Sequence, residues 1–503
     1  MHENPPSLLE LFEDDALIEG DGALRPRAVV EDSRVVGPGA LFVARSGSSD
    51  DGSRHLEEAI RRGASAVLLP MDLPATAFEP DTAVVRARDT RVAGARAAHR
   101  FHGDPATALD VLAVTGTNGK TTVAWLVRAL LAAAGRRCGL LGTIETDDGV
   151  RITPSSLTTP SACELASVLG RMVGNGCDSV ILEASSHALD QGRLLGVEPD
   201  RAIYTNLTGD HLDYHGTLEA YAGAKARLFE LLSPEGVAIV NVDCPHHRRI
   251  TAGTRGRIIR CTTADAPADA RAIILNSTRS GTELRLEGDW GTFEVRSRLI
   301  GRHNAENLIL ACALVHSLGV DGPTLERVLP DLEVPPGRLE PVTAPDAPFT
   351  VLVDYAHTDD ALRNVLLAVR PLVGEAGRLT VLFGCGGDRD RTKRARMGRL
   401  AAELADKVLV SSDNPRTEPP DSIVREILEG IPESLMNRCD AEVDRGPAIT
   451  RVIREAIPGE VILIAGKGHE DYQIIGTQRR DFDDRTCARQ ALAERTSSDG
   501  GDA

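Results

Sequence analysis

The heptapeptide GTNGKTT at residues 116–122 is the stretch of this chain whose residue types point most directly to chemistry. It follows an apolar run at residues 111–114, which predicts a short buried strand, and it opens a segment with apolar residues at helical spacing. In such a strand, glycine loop and helix start, backbone N–H groups face phosphate oxygens, Lys120 reaches the β- and γ-phosphates, and a hydroxyl of Thr121 or Thr122 can bind Mg²⁺. The sequence therefore predicts an ATP phosphate site made by Gly116, Thr117, Asn118, Gly119, Lys120, Thr121 and Thr122.

The spacing of this loop is unusual. Only two residues separate Gly116 from Gly119, which departs from the general Walker spacing and indicates a particular branch of ATP-using proteins. The alternative interpretation is a glycine turn followed by a chance Lys-Thr pair. The strand and helix patterns on both sides favour ATP binding.

Three further groups of side chains could join the phosphate site. Glu183 ends a predicted strand at residues 179–183, where a carboxylate beside the phosphate loop can bind a metal ion, although a strand-end cap is the alternative. Residues 210–215 hold two His and two Asp, a density that favours function, whereas a lone His there would more often be structural. Taken alone, Lys225 is typical of a solvated helix lysine.

Composition and charge exclude several classes of protein. A formal net charge of −17 over 503 residues argues against a nucleic-acid partner, because phosphate neutralisation needs clustered Lys and Arg. The nine scattered cysteines are typical of free thiols in a reducing compartment. The sequence begins without a signal-peptide pattern and has no run of about 18 apolar residues. We therefore expect a cytoplasmic protein without membrane insertion, and we expect a monomer.

Alternating strand and helix patterns predict an α/β protein with three domains. Turn-rich segments at residues 102–105 and 335–338 mark the boundaries. We predict a smaller N-terminal α/β domain at residues 1–107, a central P-loop domain with a doubly wound, mostly parallel sheet at residues 108–334, a Rossmann-like α/β domain at residues 335–495, and a disordered tail at residues 496–503. The predicted strands are residues 39–44, 66–69, 83–86, 111–115, 179–183, 202–205, 237–241, 349–354, 379–384, 407–411 and 461–465.

The chain resembles the Mur ligases of peptidoglycan synthesis through six motifs that occur in the family's order: GTNGKTT, EASSH (183–187), TNLTGDHLDYHG (205–216), GRHNAEN (301–307), DYAHT (354–358) and GKGHE (466–470). The resemblance covers nearly the whole chain and is strongest to the branch that adds the third residue of the stem peptide. It implies that the first domain binds a UDP-sugar, the central domain binds ATP, and the third domain binds the incoming amino acid.

The resemblance also assigns roles around the phosphates. It implies that Lys225 is carbamylated by CO₂, that Thr121 and Glu183 bind one Mg²⁺, and that Glu183, His211 and carbamylated Lys225 bind a second. An ammonium would be repelled by these ions, whereas a carbamate would be attracted to them. By the same resemblance Asn304 contacts adenine and Arg338 lies at the interdomain hinge of the nucleotide site. Asp354 and His357 are candidates for contact with the nucleotide or the tetrahedral intermediate, and Asp359 stands where many relatives have Pro.

The implied reaction is ATP-dependent amide formation through an acyl phosphate. For the amino acid, the segment DNPR at residues 413–416 accompanies meso-diaminopimelate in the family, and a planar guanidinium suits the second carboxylate that lysine lacks. LL-diaminopimelate stays open, L-lysine is a further alternative, and Arg416 could instead be an ordinary turn residue. The residues predicted to bind diaminopimelate are Arg389, Asp413, Asn414, Pro415, Arg416, Gly466 and Glu470.

The acceptor implied by the resemblance is UDP-N-acetylmuramoyl-L-alanyl-D-glutamate. Ser48, Ser49 and Asp50 fall on a further nucleotide loop of the family but differ from the His-Gln-Ala of some members, and Leu157 is not counted as a contact. The residues predicted to bind the acceptor are Ser33, Thr158, Thr159, Ser185, Gln191 and Arg193.

Three other functions would account for part of this pattern. A folylpolyglutamate synthase or the ligase that adds D-Ala-D-Ala would share the phosphate loop, but DNPR and the DSR segment at residues 32–34 argue against both. A P-loop ATPase or regulatory nucleotide-binding module would leave GRHNAEN, DYAHT and DNPR unexplained. A non-catalytic homologue would be expected to have lost one of the candidate catalytic residues, and none is visibly lost.

Overall fold

The structure is a computed structural model. It describes residues 5–13, 16–45, 51–73 and 82–499, without the side chains of residues 496–499. The loop residues Ser48, Ser49 and Asp50 lie outside the described residues. The predicted α/β fold with several mostly parallel sheets is confirmed.

The N-terminal part is a five-stranded sheet in the order β1-β5-β4-β3-β2. Only β1 pairs antiparallel among these described strands. The core of this sheet also takes in Cys163 and Ala166, which belong to a helix of the central part. The elements are α1 (Leu8–Phe12), β1 (Leu17–Glu19), β2 (Ala28–Val30), β3 (Ala40–Val43), α2 (Leu56–Arg61), β4 (Ala64–Pro70), β5 (Ala83–Ala87) and α3 (Thr90–Phe101).

The central part is built on an eleven-stranded sheet in the order β16-β15-β14-β13-β12-β11-β6-β10-β7-β8-β9. The seven neighbouring strands β14-β13-β12-β11-β6-β10-β7 pair parallel. Antiparallel strands extend the sheet at both edges, with β15 and β16 beyond β14 and β8 and β9 beyond β7. The strands are β6 (Asp110–Thr115), β7 (Cys138–Leu141), β8 (Glu145–Asp147), β9 (Ile152–Pro154), β10 (Ser179–Glu183), β11 (Arg201–Tyr204), β12 (Val237–Asn241), β13 (Arg257–Thr262), β14 (Ala270–Thr278), β15 (Gly281–Gly288) and β16 (Gly291–Ser297).

Successive strand residues point to opposite sides of the central sheet, and in β6 both sets are apolar. Helices therefore cover both faces. Leu112 and Val114 pack into one core with the helix that follows the phosphate loop, whereas Val111 and Ala113 pack into the core on the other face. This arrangement is the predicted doubly wound sheet. The helices are α4 (Lys120–Ala133), α5 (Ala162–Gly174), α6 (Ser186–Asp190), α7 (Leu212–His215), α8 (Leu218–Glu230), α9 (His247–Ile250), α10 (Arg302–Ser317) and α11 (Gly322–Val328).

The C-terminal part has a six-stranded sheet in the order β17-β18-β22-β19-β20-β21, in which only β17 is antiparallel, and a separate hairpin of β23 and β24. The elements are β17 (Glu340–Pro341), β18 (Thr350–Asp354), α12 (Asp359–Val369), β19 (Leu379–Phe383), α13 (Thr392–Leu404), β20 (Lys407–Val410), α14 (Pro420–Leu428), β21 (Cys439–Ala441), α15 (Arg445–Arg454), β22 (Val461–Ala465), β23 (Tyr472–Ile475), β24 (Gln478–Asp481) and α16 (Asp484–Asp499).

The three large sheets each fall within one of the three predicted domain ranges, whose boundaries stay predictions. The last helix continues to Asp499, so the first four residues of the tail for which we expected disorder are helical, and residues 500–503 lie outside the described part. All nine cysteines are free.

A fully buried ion pair holds the last helix to the C-terminal sheet. Arg445 donates to both carboxylate oxygens of Asp484 at 2.7 Å, and it also donates to the carbonyls of Ser412 and Ala465. Both side chains have 0% exposure. Removing one partner would leave an uncompensated buried charge, which is strongly destabilising.

We therefore expect Asp484→Ala to lower the stability of the C-terminal part by about 3–5 kcal/mol. Calorimetric unfolding of the whole chain measures this loss. Asp440→Ala is the matched control, because it removes an Asp–Arg pair with Arg451 whose carboxylate is half exposed, and it should change stability by less than about 1 kcal/mol. Equal effects of the two variants would show that the buried pair adds nothing beyond a surface pair.

Candidate active site

The phosphate loop joins the end of β6 to the start of α4 in the middle of the central sheet. Gly119 has φ +89°, and a Cβ there would overlap Oδ1 of Asn307, so this position requires glycine. The end of β11 holds the loop from the side, since the Asn118 N–H donates to Asn206 Oδ1 at 2.9 Å and the Thr205 hydroxyl donates to the Asn118 carbonyl at 2.6 Å. The loop is thus fixed by the neighbouring strand before any phosphate binds.

The buried carboxylate of Glu183 lies directly against this loop. Glu183 is 1% exposed, and its Oε2 accepts the Thr121 hydroxyl at 3.0 Å. Thr143 adds two bonds, from its N–H to Oε1 at 2.8 Å and from its hydroxyl to Oε2 at 3.0 Å. The sequence analysis did not identify Thr143, which is 40 residues from Glu183 and carries no motif.

The pair of Thr121 and Glu183 suits a magnesium ion. Two neighbouring ligands of an octahedral Mg²⁺, each at about 2.0–2.1 Å, lie roughly 2.9 Å apart. The two oxygens in this protein are 3.0 Å apart, and a hydroxyl with a carboxylate is the hard oxygen donor set that Mg²⁺ prefers. The residues present therefore fit the ion.

Two lysines meet at one oxygen of the phosphate loop. Lys120 Nζ donates to the carbonyls of Gly116 and Thr117, both at 2.9 Å, and Lys225 Nζ reaches the same Gly116 carbonyl at 2.7 Å. Lys225 is 1% exposed and lies over the ring of Tyr221. Burial, and then the neighbouring Lys120 cation, hold the pKa of the Lys225 ammonium well below its usual range. The sequence alone suggested a solvated helix lysine, and the structure buries it.

The loop between β11 and α7 brings the imidazole of His211 against a ring from α6. His211 has φ +54° and a side chain that is 47% exposed, and its ring meets His187 edge-to-face at 4.8 Å. In the part of the chain that the structure describes, no group of three or more His, Cys, Asp or Glu side chains is arranged to hold a metal ion. The role of His211 as a metal ligand stays a prediction.

Most of the residues predicted to bind the acceptor lie around the end of β10. The Thr159 hydroxyl donates to the Glu183 carbonyl at 2.6 Å and accepts the Ser185 N–H, while Arg193 donates to the Thr159 carbonyl at 2.9 Å and to Gln191 Oε1 at 2.7 Å.

Two further contacts extend this acceptor group. The Thr158 hydroxyl lies 3.1 Å from that of Thr143. Arg45 of the N-terminal part donates to the Gln191 carbonyl at 2.6 Å. Ser33 is buried within the N-terminal part, where it donates to Glu58 at 2.8 Å.

The residues predicted to bind the amino acid cluster at the carboxyl ends of the C-terminal strands. The Gly466 N–H donates to the Asp354 carbonyl at 3.1 Å, and the Asn414 amide donates to Glu470 at 2.8 Å. Burial raises the pKa of Asp354. Lys467, which the sequence analysis did not single out, donates to Glu470 at 3.0 Å. The group is therefore joined by hydrogen bonds.

Two arginines at this edge differ in their surroundings. Arg416 has φ +51° and donates through Nη1 to the Gly387 carbonyl at 2.7 Å. Arg389, in the loop after β19, is exposed. Pro415 and Asp413 are buried next to Arg416. The geometry therefore favours Arg416 over Arg389 as the preorganised guanidinium.

The C-terminal part contacts the phosphate loop at two points. Arg338 donates to the Thr121 hydroxyl at 3.2 Å and stacks over Tyr355. Asp360, which the sequence analysis did not select, accepts the Asn118 amide at 2.9 Å and the Thr208 hydroxyl at 3.0 Å. Its neighbour Asp359 is the first residue of α12, where an acidic side chain is favourable. The carboxyl ends of the C-terminal strands are thereby held against the phosphate loop.

Two of the predicted nucleotide-side residues are bonded within the protein. The Asn304 amide donates to the Ile300 carbonyl at 2.9 Å and accepts from Asn307 at 3.1 Å, so its adenine contact stays a prediction. His357 lies with Nδ1 2.8 Å from the Tyr355 carbonyl, and its own carbonyl accepts Lys393. Burial lowers the pKa of the His357 imidazole.

Comparison with known proteins identifies relatives over nearly the whole chain. Residues 114–315 match the Mur ligase middle domain, and residues 337–468 match the Mur ligase, glutamate ligase domain. A UDP-N-acetylmuramoyl-L-alanyl-D-glutamate–2,6-diaminopimelate ligase of Synechococcus elongatus is 44% identical over 471 residues, covering 93% of this chain and 94% of the relative. The ligase of the same name from Chlorobium phaeobacteroides is 39% identical and covers 98% of both chains.

A solved structure of a UDP-N-acetylmuramoyl-L-alanyl-D-glutamate–2,6-diaminopimelate ligase is also similar. It has a TM-score of 0.68 and 34% identity, and the match covers 98% of this chain and 99% of that one. Every helix in the described ranges is too short or too polar to cross a bilayer.

Proposed function

The chain belongs to the Mur ligase family, and we propose from this that it is the ATP-dependent ligase that joins 2,6-diaminopimelate to UDP-N-acetylmuramoyl-L-alanyl-D-glutamate in peptidoglycan synthesis. The observation that carries the proposal is the placement of Asn414, Arg416 and Glu470 at one edge of the C-terminal sheet, while Arg338 and Asp360 hold this part against the phosphate loop. That arrangement lets an activated carboxylate meet an incoming amine.

The proposed reaction proceeds through an acyl phosphate. One of the two free carboxylates of the D-glutamyl residue attacks the γ-phosphorus of ATP, the bond from that phosphorus to the β–γ bridging oxygen breaks, and ADP leaves. The diaminopimelate amine, once deprotonated, attacks the carbonyl carbon of the acyl phosphate, and phosphate leaves as the amide forms. Lys120 neutralises charge that develops on the γ-phosphate oxygens, and the loop N–H groups orient the phosphates. The protein's main contribution is to align the carboxylate with the phosphorus.

We assign Thr121 and Glu183 as ligands of one Mg²⁺, and Glu183, His211 and Lys225 as ligands of a second. Bound there, Mg²⁺ would offset charge on the phosphates during transfer. The oxygen spacing at Thr121 and Glu183 supports the first assignment.

Lys225 takes part in this proposal as a carbamate formed with CO₂. Two ammonium groups on one carbonyl oxygen repel each other, and here Lys120 and Lys225 share the Gly116 oxygen. Converting Lys225 to a carbamate replaces one of these cations with a negatively charged oxygen ligand, which removes the repulsion and adds a metal-binding group.

The acceptor is placed by residues around β10 and in the N-terminal part. Arg193 and the hydroxyls of Thr158 and Ser185 are assigned as donors to the peptide and sugar, and Thr159, whose hydroxyl proton goes to the Glu183 carbonyl, is assigned to the same group. Gln191 connects this group to Arg45 of the N-terminal part. Ser33 is assigned to the uridine side. We further propose that the enzyme acts in the cytoplasm as a monomer, which size-exclusion chromatography with light scattering would test.

The choice of amino acid is assigned to Arg416. Its guanidinium pairs with the second carboxylate of meso-diaminopimelate. Glu470 accepts the distal ammonium, and Asn414 offers a polar contact to the same ammonium or carboxylate. L-Lysine lacks that carboxylate. LL-Diaminopimelate differs only at one stereocentre, so activity with the separate isomers decides between them.

Arg416→Ala should therefore lose about 30- to 1000-fold in kcat/KM for diaminopimelate, since truncating one side of a buried charge pair costs roughly 2–5 kcal/mol. Its kcat/KM for lysine should change much less, because no contact to lysine is lost. The measurement compares both amino acids in both proteins with acceptor and ATP saturating. Arg425→Ala, an exposed arginine of α14, is the control and should leave both values unchanged. Equal losses for the two substrates with Arg416→Ala would place the discrimination elsewhere, with Arg389 the first residue to test.

A further inference from the structure

A buried arginine lies behind the turn that carries Arg416. The side chain of Arg394, on α13, is 1% exposed. Its guanidinium holds the Glu418 carboxylate at two points, with Nη1 donating to Oε2 at 2.9 Å and Nη2 donating to Oε1 at 2.8 Å. Nη1 also donates to Glu426 at 2.8 Å. Such a bidentate contact fixes the orientation of the Glu418 carboxylate relative to the guanidinium as well as the distance between them.

Glu418 connects two loops of the amino-acid site. Its Oε1 accepts the N–H of Asp388, in the loop after β19, at 2.7 Å, and its own N–H donates to the Pro415 carbonyl at 3.1 Å. Asp388 adds to the connection, because its carboxylate accepts the Thr417 N–H at 3.1 Å and the Thr417 hydroxyl at 2.8 Å. The Arg394–Glu418 pair thus holds the loop after β19 to the turn after β20.

The same two loops meet at Arg416. Its Nη1 donates to the Gly387 carbonyl, and the Gly387 N–H donates to the Asn414 carbonyl at 2.9 Å. A Cβ at Gly387 would overlap the Pro415 carbonyl oxygen, so a residue with a side chain does not fit at this position. The left-handed backbone of Arg416 is held by the β23–β24 hairpin, because its N–H donates to the Ile474 carbonyl at 3.0 Å and its carbonyl accepts the Gly476 N–H at 2.7 Å. This leaves the loop at Gly387 to act on the side chain. The direction of the Arg416 guanidinium therefore depends on the position of the loop that Glu418 holds.

We propose that the Arg394–Glu418 pair is a positioning element that aims Arg416 and thereby sets amino-acid specificity. The inference rests on the proposed function, in which Arg416 recognises the second carboxylate of diaminopimelate. The bond to the Gly387 carbonyl restrains the position of the Arg416 guanidinium, and a displacement of about 1 Å can lower the rate by about 10²-fold. Arg394 and Glu418 touch no substrate and act through Arg416.

The test compares Glu418→Gln with Glu426→Gln. Both variants remove one negative charge from Arg394, but Glu426 lies on α14 and its hydrogen bonds are to Arg391 and Arg394. Glu418→Gln should lose about 10- to 100-fold in kcat/KM for diaminopimelate, with kcat/KM for lysine and KM for ATP changed less than about threefold. Glu426→Gln should change all three by less than about threefold. Equal effects of the two variants would overturn the inference, because a purely structural role predicts them.

A double variant shows whether Glu418 acts through Arg416. Combining Glu418→Gln with Arg416→Ala should be no worse than Arg416→Ala alone, and fully additive losses would overturn the inference. If Arg416→Ala loses discrimination while Glu418→Gln keeps it, this inference fails and the proposed function stands. If Arg416→Ala still discriminates fully between diaminopimelate and lysine, the proposed role of Arg416 is wrong, and this inference is wrong as well. Should Glu418→Gln not fold, Glu418→Asp, which keeps the charge but shortens the reach, takes its place with the same expected result.

Discussion

Replacing Lys225 by alanine is expected to remove nearly all ligase activity, by more than about 10²-fold in kcat. The side chain is buried beside Lys120 on the Gly116 carbonyl, where the proposed carbamate would supply an oxygen ligand for the metal. Small carboxylates such as acetate or formate should restore part of the activity, since they can occupy the vacated ligand position. The measurement is ADP release with all substrates saturating, with and without the added carboxylate.

Two further variants make this prediction specific. Lys225→Arg keeps a permanent cation that cannot be carbamylated, so full activity of that variant would contradict the carbamate. Arg227→Ala removes a half-exposed cation from the same helix and should remain active. Independently of activity, protein equilibrated with ¹³C-bicarbonate should show a carbamate carbon resonance by NMR that is missing from Lys225→Ala.

Replacing Lys120 by alanine is the second change with a large expected effect. It removes a cation from the point where charge develops on the γ-phosphate, and loss of one such group lowers turnover by about 10²–10³-fold. Binding of the UDP-linked acceptor, measured by calorimetry, should change little because Lys120 lies on the phosphate loop. Lys407→Ala is the matched control. This lysine begins β20 and pairs with Glu455, at the end of the strand that lies away from the predicted site. Near-normal turnover by Lys120→Ala would remove the loop from the mechanism.

Local patterns predicted the elements that position the site. The strands that end in Glu183 and Ala465 have the predicted bounds, because each is a short run of buried apolar residues that ends in a polar or glycine-rich turn. The glycine loop and the first turn of α4 follow from residue type alone. The three antiparallel strands between residues 270 and 297 were missed. The last of them, β16, alternates buried and exposed residues, and the matching alternation of apolar and polar residues in the sequence indicates a strand.

Contacts between distant residues could not be predicted from local patterns. Thr143 reaches Glu183 across 40 positions of sequence, and Lys225 reaches Gly116 across 109. Such contacts depend on which strands are neighbours in the sheet, and a single sequence does not contain that order. The same holds for Asp360 and Glu418, which look like ordinary surface acids until the fold places Asn118 and Arg394 against them.

The most direct test of the proposed reaction is ADP release by the purified chain with ATP, Mg²⁺, UDP-N-acetylmuramoyl-L-alanyl-D-glutamate and a panel of amino acids. ADP should be released over repeated turnovers only when the acceptor and diaminopimelate are both present, whereas the acceptor without an amino acid should give no more than the single turnover that forms the acyl phosphate. Mass spectrometry should find one UDP-linked tripeptide for each ADP released in the steady state. Glutamate with a folate acceptor, or D-alanyl-D-alanine with a UDP-linked tripeptide, should give no product. Steady-state ADP release that needs no amino acid, or that prefers lysine or glutamate to diaminopimelate, would contradict the proposed reaction.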